Sequence, residues 1–191
     1  ALRIRSGKLT SAGYTRDLIA RIDALEKDVQ AWQWLDRVRA LALAGRADKA
    51  DSAMRVAHPL HGIPIGVKDL FYTAGIPTEM GCRAYAGYVP DVTADVVARL
   101  ESAGGIMFGK TVTTEAAFMV PAKTRNPWNI AHTPGGSSSG SAAAVAAGFV
   151  AGALGTQTNG SVIRPAAFCG IVGYKPSFGQ MSARGAMPFS P

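Results

Sequence analysis

A serine at the end of a glycine-rich turn is the first place in this chain where chemistry could occur. The stretch Gly155-Thr156-Gln157-Thr158-Asn159-Gly160-Ser161-Val162-Ile163-Arg164-Pro165 follows an apolar run, Phe149 to Leu154. Such a turn can lift a hydroxyl clear of the fold and aim several backbone N–H groups at one spot, the two parts that acyl transfer requires. Two further pieces lie upstream. One is Gly135-Gly136-Ser137-Ser138-Ser139-Gly140-Ser141; the other is Lys68, inside the apolar segment Gly66-Val67-Lys68-Asp69.

A serine hydroxyl is a poor nucleophile until a base takes its proton. The three histidines (His58, His61, His132) all precede the serine cluster. Within the 191 residues given, the order Ser…Asp…His is therefore not available, and the G-x-S-x-G fit at Gly136 to Gly140 has no strand before it. The histidines read as structural. Lysine is the remaining candidate. An exposed amine titrates near ~10.4, but burial among apolar groups lowers that value by several units. Lys68 sits between Val67 and Leu70, the right setting, and Asp69, its strand neighbour, points to the opposite face. The local sequence leaves two readings open: a base, or a strand-end lysine reaching out to water.

One competing motif fails on context. Gly104-Gly105-Ile106-Met107-Phe108-Gly109-Lys110-Thr111 fits the phosphate-loop pattern. A working loop opens a helix; here three bulky apolar residues fill it and read as a strand, whose N–H groups pair in a sheet. Nucleotide binding there is rejected.

Composition sets the frame. The 191 residues are 48% hydrophobic and 17% charged with 22 glycines, a globular α/β balance rather than disorder. The net charge of +7 divides into +4 for residues 1–55 and +3 for the rest. A charge so spread argues for attraction of small anions more than for nucleic acid. Cys82 and Cys169 make neither a disulfide framework nor a zinc site, and no metal is expected. The longest apolar run, Ala142 to Leu154, is 13 residues, short of the ~20 that span a bilayer. The N-terminus lacks the apolar core of a signal peptide. A cytoplasmic protein is expected.

The elements that must position these residues follow from periodicity. Thr10-Ser11 caps a helix carrying Leu18, Ile22 and Leu25. Val29 to Leu35 alternates, as a strand or a helix start. Asp36 to Met54 reads as one helix, Ile63 to Val67 as a strand delivering Lys68, and Thr93 to Ala103 as a helix stopped by Gly104-Gly105. Ile106 to Phe108 is a strand, Thr113 to Met119 a short helix, and Asn126 to Pro134 a loop. Residues 135–151 are 14 of 17 Gly, Ser or Ala, but the Val and Phe among them speak against a linker. Ser139 to Ala147 reads as a small-residue helix, Phe149 to Leu154 as a buried strand, and Pro165 to Phe168 as a helix start. The alternation gives an α/β fold with a mixed or parallel sheet.

Taken together the motifs resemble the amidase signature family of Ser–Ser–Lys hydrolases. The likeness runs from Gly62-Ile63-Pro64-Ile65-Gly66-Val67-Lys68-Asp69 through Ser102 to Gly105, Gly109-Lys110-Thr111 and Pro134 to Ala146. It ends with Ser161 to Gly170 and Gly173-Tyr174-Lys175-Pro176-Ser177. The resemblance implies a mixed sheet covered by helices on both faces. Its domain spans residues 1–191, with a helical region over 1–55 and the signature core over 60–180. It implies Ser161 as nucleophile, Ser137 as the bridging serine after a cis bond from Gly136, and Lys68 as base. N–H groups of Thr158, Asn159, Gly160 and Ser161 would hold the oxyanion, and Ser138 would add a hydrogen bond. No cofactor is implied. The substrate would be a small linear amide, and homo-oligomers are left open. Nucleic acid enters only if the chain is the amide-cleaving component of a glutamine-dependent tRNA amidotransferase; a truncated, non-catalytic domain is the remaining alternative.

Three departures matter. Asn159 stands where the family commonly has Gly; Asn tolerates positive φ, though its side chain would crowd the oxyanion position. Gln157 stands in the place of an Asp, and Arg164 lies three residues after Ser161 rather than two, which leaves two readings: a group free to meet a substrate carboxylate, or a structural arginine bonding the turn carbonyls. The family's domain is also longer: ending at Phe189-Ser190-Pro191, the chain is expected to lack later strands and most pocket walls.

Overall fold

The structure is a computed structural model that describes residues 1–188; Phe189, Ser190 and Pro191 lie outside the described residues. Helix α1 spans Leu2–Arg5. Thr10 caps α2, Ser11–Val29, its side chain accepting from Gly13 N. Strand β1 (Trp32–Leu35) follows. The single helix expected over 36–54 is instead two, α3 (Arg37–Asp48) and α4 (Ser52–Ala57). Two aspartates break it. Asp51 accepts from Met54 N and starts α4, as a capping residue does. Asp48 turns back onto Ser11 N and Ala12 N, at 2.6 and 2.9 Å.

The sheet is built by β2 (Pro64–Lys68), β3 (Ile106–Thr111) and β4 (Ala153–Leu154) with β1, in the order β1-β3-β2-β4. β1 runs antiparallel to β3; β2 lies parallel to both β3 and β4. Helix α5 (Asp95–Ser102) covers one face, with Val96 and Val97 packed among Val67, Met107, Phe71 and Ile76. On the other face α2 and α6 (Ser139–Ala146) close over Phe108, through Leu18, Ile22, Ala143 and Ala144. Met107 and Phe108, adjacent on β3, serve opposite faces, as the pleat requires.

Two expected elements are smaller than the sequence suggests. Only Ala153 and Leu154 of Phe149–Leu154 join the sheet. Phe149 is drawn off to close α6: Gly148 has φ +70° and Phe149 N bonds Ala144 O at 2.8 Å, the Schellman pattern. The helix expected over 113–119 is a single 3₁₀ turn, Glu115–Ala117, because Ala116 and Ala117 take positive φ and Ala116 N goes to Met80 O. Among the described residues no helix is long and apolar enough to cross a membrane.

Candidate active site

Lys68 ends β2, the strand flanked by β3 and β4, and is fully buried. Its Nζ donates to Ser137 Oγ and to Thr156 Oγ1, each at 2.8 Å. Among the described residues no carboxylate is a hydrogen-bond or ion-pair partner of this amine, and burial lowers it from its ordinary value of 10.5 to about 7. Asp69 faces away, as the alternation of a strand requires. Its Oδ1 lies 3.0 Å from Lys110 Nζ and its Oδ2 accepts from Glu79 N and Met80 N. Lys110 also donates to Thr78 Oγ1 at 2.6 Å and Phe71 O at 2.9 Å. Burial pushes the Asp69 carboxyl up and the Lys110 amine down, and their mutual attraction opposes both shifts. The lysine of the rejected phosphate-loop motif is therefore half of a buried ion pair, and Gly109-Lys110-Thr111 are strand residues.

The serine block enters α6 through a cis peptide bond, Gly136–Ser137. Ser137 O accepts from Thr114 N, and Gly140 N bonds Val112 O. Ser138 is buried and ties the two loops together. Its N–H donates to Ser161 O at 3.1 Å, and its hydroxyl both donates to Thr156 O and accepts from Thr156 N. The main chain of Ser161 is thus held against the serine block. Among the described residues, no hydrogen bond joins the Ser161 and Ser137 hydroxyls.

The turn before α7 (Ile163–Phe168) is held by Gln157, whose Oε1 accepts from Val162 N and Ile163 N, each at 2.9 Å. Among the described residues the N–H groups of Thr158, Asn159, Gly160 and Ser161 have no hydrogen-bond partner. Asn159 does not take the positive φ that its place suggested, so the turn has no need of a left-handed residue there. Arg164 is exposed and bends back over Gly160, where a Cβ would come within 3.2 Å of its guanidinium. The sequence missed Thr156 as a partner of Lys68. Its place depends on the pairing of Val67 with Leu154, a non-local register. Gln157 stood out only as a departure, and its capping role becomes visible once the turn is folded.

The Amidase family pattern matches residues 14–191. A relative from Chloroflexus aggregans, named as a subunit of glutamyl-tRNA(Gln) amidotransferase, is 42% identical over 97% of this chain and 39% of its own length. The peptide amidase of Stenotrophomonas maltophilia superposes with a TM-score of 0.90 at 38% identity, over 99% of this chain and 41% of its own. The corresponding glutamyl-tRNA(Gln) amidotransferase component of Thermotoga maritima gives a TM-score of 0.77 at 33% identity, over 95% and 38%. The chain spans about two fifths of the length of these relatives. The mixed sheet with helices on both faces is the amidase signature fold, and the chain belongs to the amidase family.

Proposed function

We propose that the chain carries the catalytic side chains of an amidohydrolase that cleaves a small linear carboxylic amide to acid plus ammonia or amine. One observation carries the reading: a buried amine, lowered to about 7, donates to a serine hydroxyl at 2.8 Å and has no acidic partner among the described residues. An amine that is neutral near pH 7 can accept a proton there. In this reading Ser161 Oγ attacks the amide carbonyl while its proton passes through Ser137 to Lys68. The C–N bond then breaks as the proton returns to the leaving nitrogen, and water hydrolyses the acyl-serine. The reading requires the Ser161 hydroxyl to turn onto Ser137 in the substrate complex, where hydrogen bonds that are long in a free enzyme commonly tighten.

The N–H groups of Thr158 to Ser161, without a partner among the described residues, suit an oxyanion, where losing one donor typically costs about 3–4 kcal/mol of barrier. Thr156 orients Lys68 by taking one of its N–H groups. Ser138 supports both loops, and Arg164 meets a carboxylate on the substrate. Labelling by a fluorophosphonate, abolished in Ser161→Ala, tests the enzyme against a non-catalytic domain. Arg164→Ala compared on acidic and neutral small amides tests the carboxylate; equal losses on both would remove that role.

A second reading has a specific basis. Relatives at 42–44% identity are named as components of a glutamyl-tRNA(Gln) amidotransferase. The chemistry at Ser161 would be the same, with ammonia from glutamine passed to an acylated tRNA. Gln157 and Arg164 depart from the pattern, and the peptide amidase superposes with the higher TM-score, 0.90 against 0.77, so hydrolysis of a free small amide is preferred. Glutaminase activity that develops only with partner proteins would reverse the preference.

A further inference from the structure

One uncharged side chain closes the turn that carries Ser161. Gln157 Oε1 accepts from the two N–H groups that lead into α7, at 2.9 Å each. A carboxylate would do this work more strongly, because charge-assisted bonds are stronger and a negative group suits the start of a helix. The amide does it without charge, in a turn whose one charged group is Arg164. Among the described residues that guanidinium meets no carboxylate: the ion pairs are Arg37–Asp23, Lys110–Asp69 and Arg184–Asp95. The guanidinium lies over Gly160, beside the N–H groups of residues 158–161 that have no partner among the described residues.

We propose that Gln157 is a specificity-determining residue: by closing the nucleophile turn without charge it keeps Arg164 unpaired, and so selects substrates carrying a carboxylate next to the scissile amide. The proposal rests on the amidohydrolase reading and deepens it. A dianion two to four carbons long mimics such a substrate after cleavage, with one carboxylate at the turn N–H groups and the other on Arg164.

The experiment uses succinate as probe and Ser161→Ala protein as background, with calorimetric titration and thermal unfolding read side by side. Gln157→Glu keeps the acceptor and should unfold at the same or a higher temperature, while binding succinate about fivefold or more weakly. Arg164→Ala should weaken succinate to a similar extent, and the double variant should lose no more than either single one. Gln157→Leu removes the cap itself and should lower the unfolding temperature. This opposition of stability and affinity in Gln157→Glu is what a merely structural glutamine would not produce. Succinate affinity unchanged in Gln157→Glu overturns the proposal, as does a parent protein that does not bind succinate. Should Gln157→Glu fail to fold, unchanged affinity in Arg164→Ala overturns it equally. The Ser161→Ala background cannot turn over, so these results speak to the anion site alone. Ser161-dependent hydrolysis of small amides, measured on the parent, reports separately on the amidohydrolase reading.

Discussion

Lys68 is placed where an ammonium is costly, and two measurable consequences follow. The neutral amine gains population as pH rises toward about 7, so fluorophosphonate labelling of Ser161 should rise about tenfold per pH unit below that point and level off above it. A rate that is flat from pH 5 to 9 removes Lys68 as the base. Stability moves in the same direction. The unfolded chain keeps this proton up to 10.5, whereas the folded protein releases it near 7. The contribution is full above pH 10.5, shrinks as pH falls toward 7, and is constant below. Lys68→Met should flatten that part of the stability–pH curve, a change of about 1.4 kcal/mol per unit at most, measured by urea unfolding at several pH values. Thr156 gives a second residue-scale outcome. Thr156→Val removes the 2.8 Å acceptor of Lys68 while keeping the shape, and should slow Ser161 labelling by about tenfold. Thr156→Ser should restore most of it; a Thr156→Val protein as reactive as the parent would show that Ser137 alone orients the amine.

At the scale of elements, position is set by close approach. Helix α6 brings Ser137 and Ser138 to Lys68 because its first turn lies directly against the chain leaving β3. A Cβ on Gly140 would collide with Ala31 O and Val112 N, contacts that backbone atoms cannot relieve. Gly140→Ala should therefore cost about 2–3 kcal/mol or more and reduce Ser161 labelling even at temperatures where the protein remains folded; an unfolding temperature within about a degree of the parent would contradict it. The glycine-serine block announces such an approach in its composition. This is why α6, β2 and β3 were legible: each has a local signature, small residues in one and short apolar runs in the others. What the sequence concealed was decided at a distance. Asp48 ends α3 with its carboxylate on the first N–H groups of α2, Phe149 closes α6 rather than lengthening β4, and Thr156 meets Lys68 through the register between β2 and β4. In each case a residue with a plausible local role was taken by a partner elsewhere in the fold.

At the scale of the molecule, the site side of the fold ends in apolar surface. Trp128, Val172 and Tyr174 are 74%, 93% and 78% exposed, and Phe168 is half exposed. Trp128 Nε1 donates to Cys169 O at the end of α7, and Val172 and Tyr174 follow α7 on either side of Gly173, which lies against Ala166 and Ile163. Scattered exposed apolar residues are ordinary, but several large ones within and just beyond one short helix favour contact. Each large side chain left in water forgoes about 1.5–3 kcal/mol of burial, so protein of this sequence should associate as its concentration rises. Sedimentation velocity between about 5 and 200 μM should show the weight-average mass increasing. Trp128→Ser with Val172→Lys, both on exposed side chains, should hold it near the monomer value without changing the Lys68–Ser137 contact or the pH midpoint of Ser161 labelling. A monomer at every concentration would mean that this surface is too broken by backbone polar groups to drive contact. A midpoint that moved with association would instead mean that a second copy adds a charged group near Lys68, so the two readouts separate a general stickiness from completion of the site by a partner.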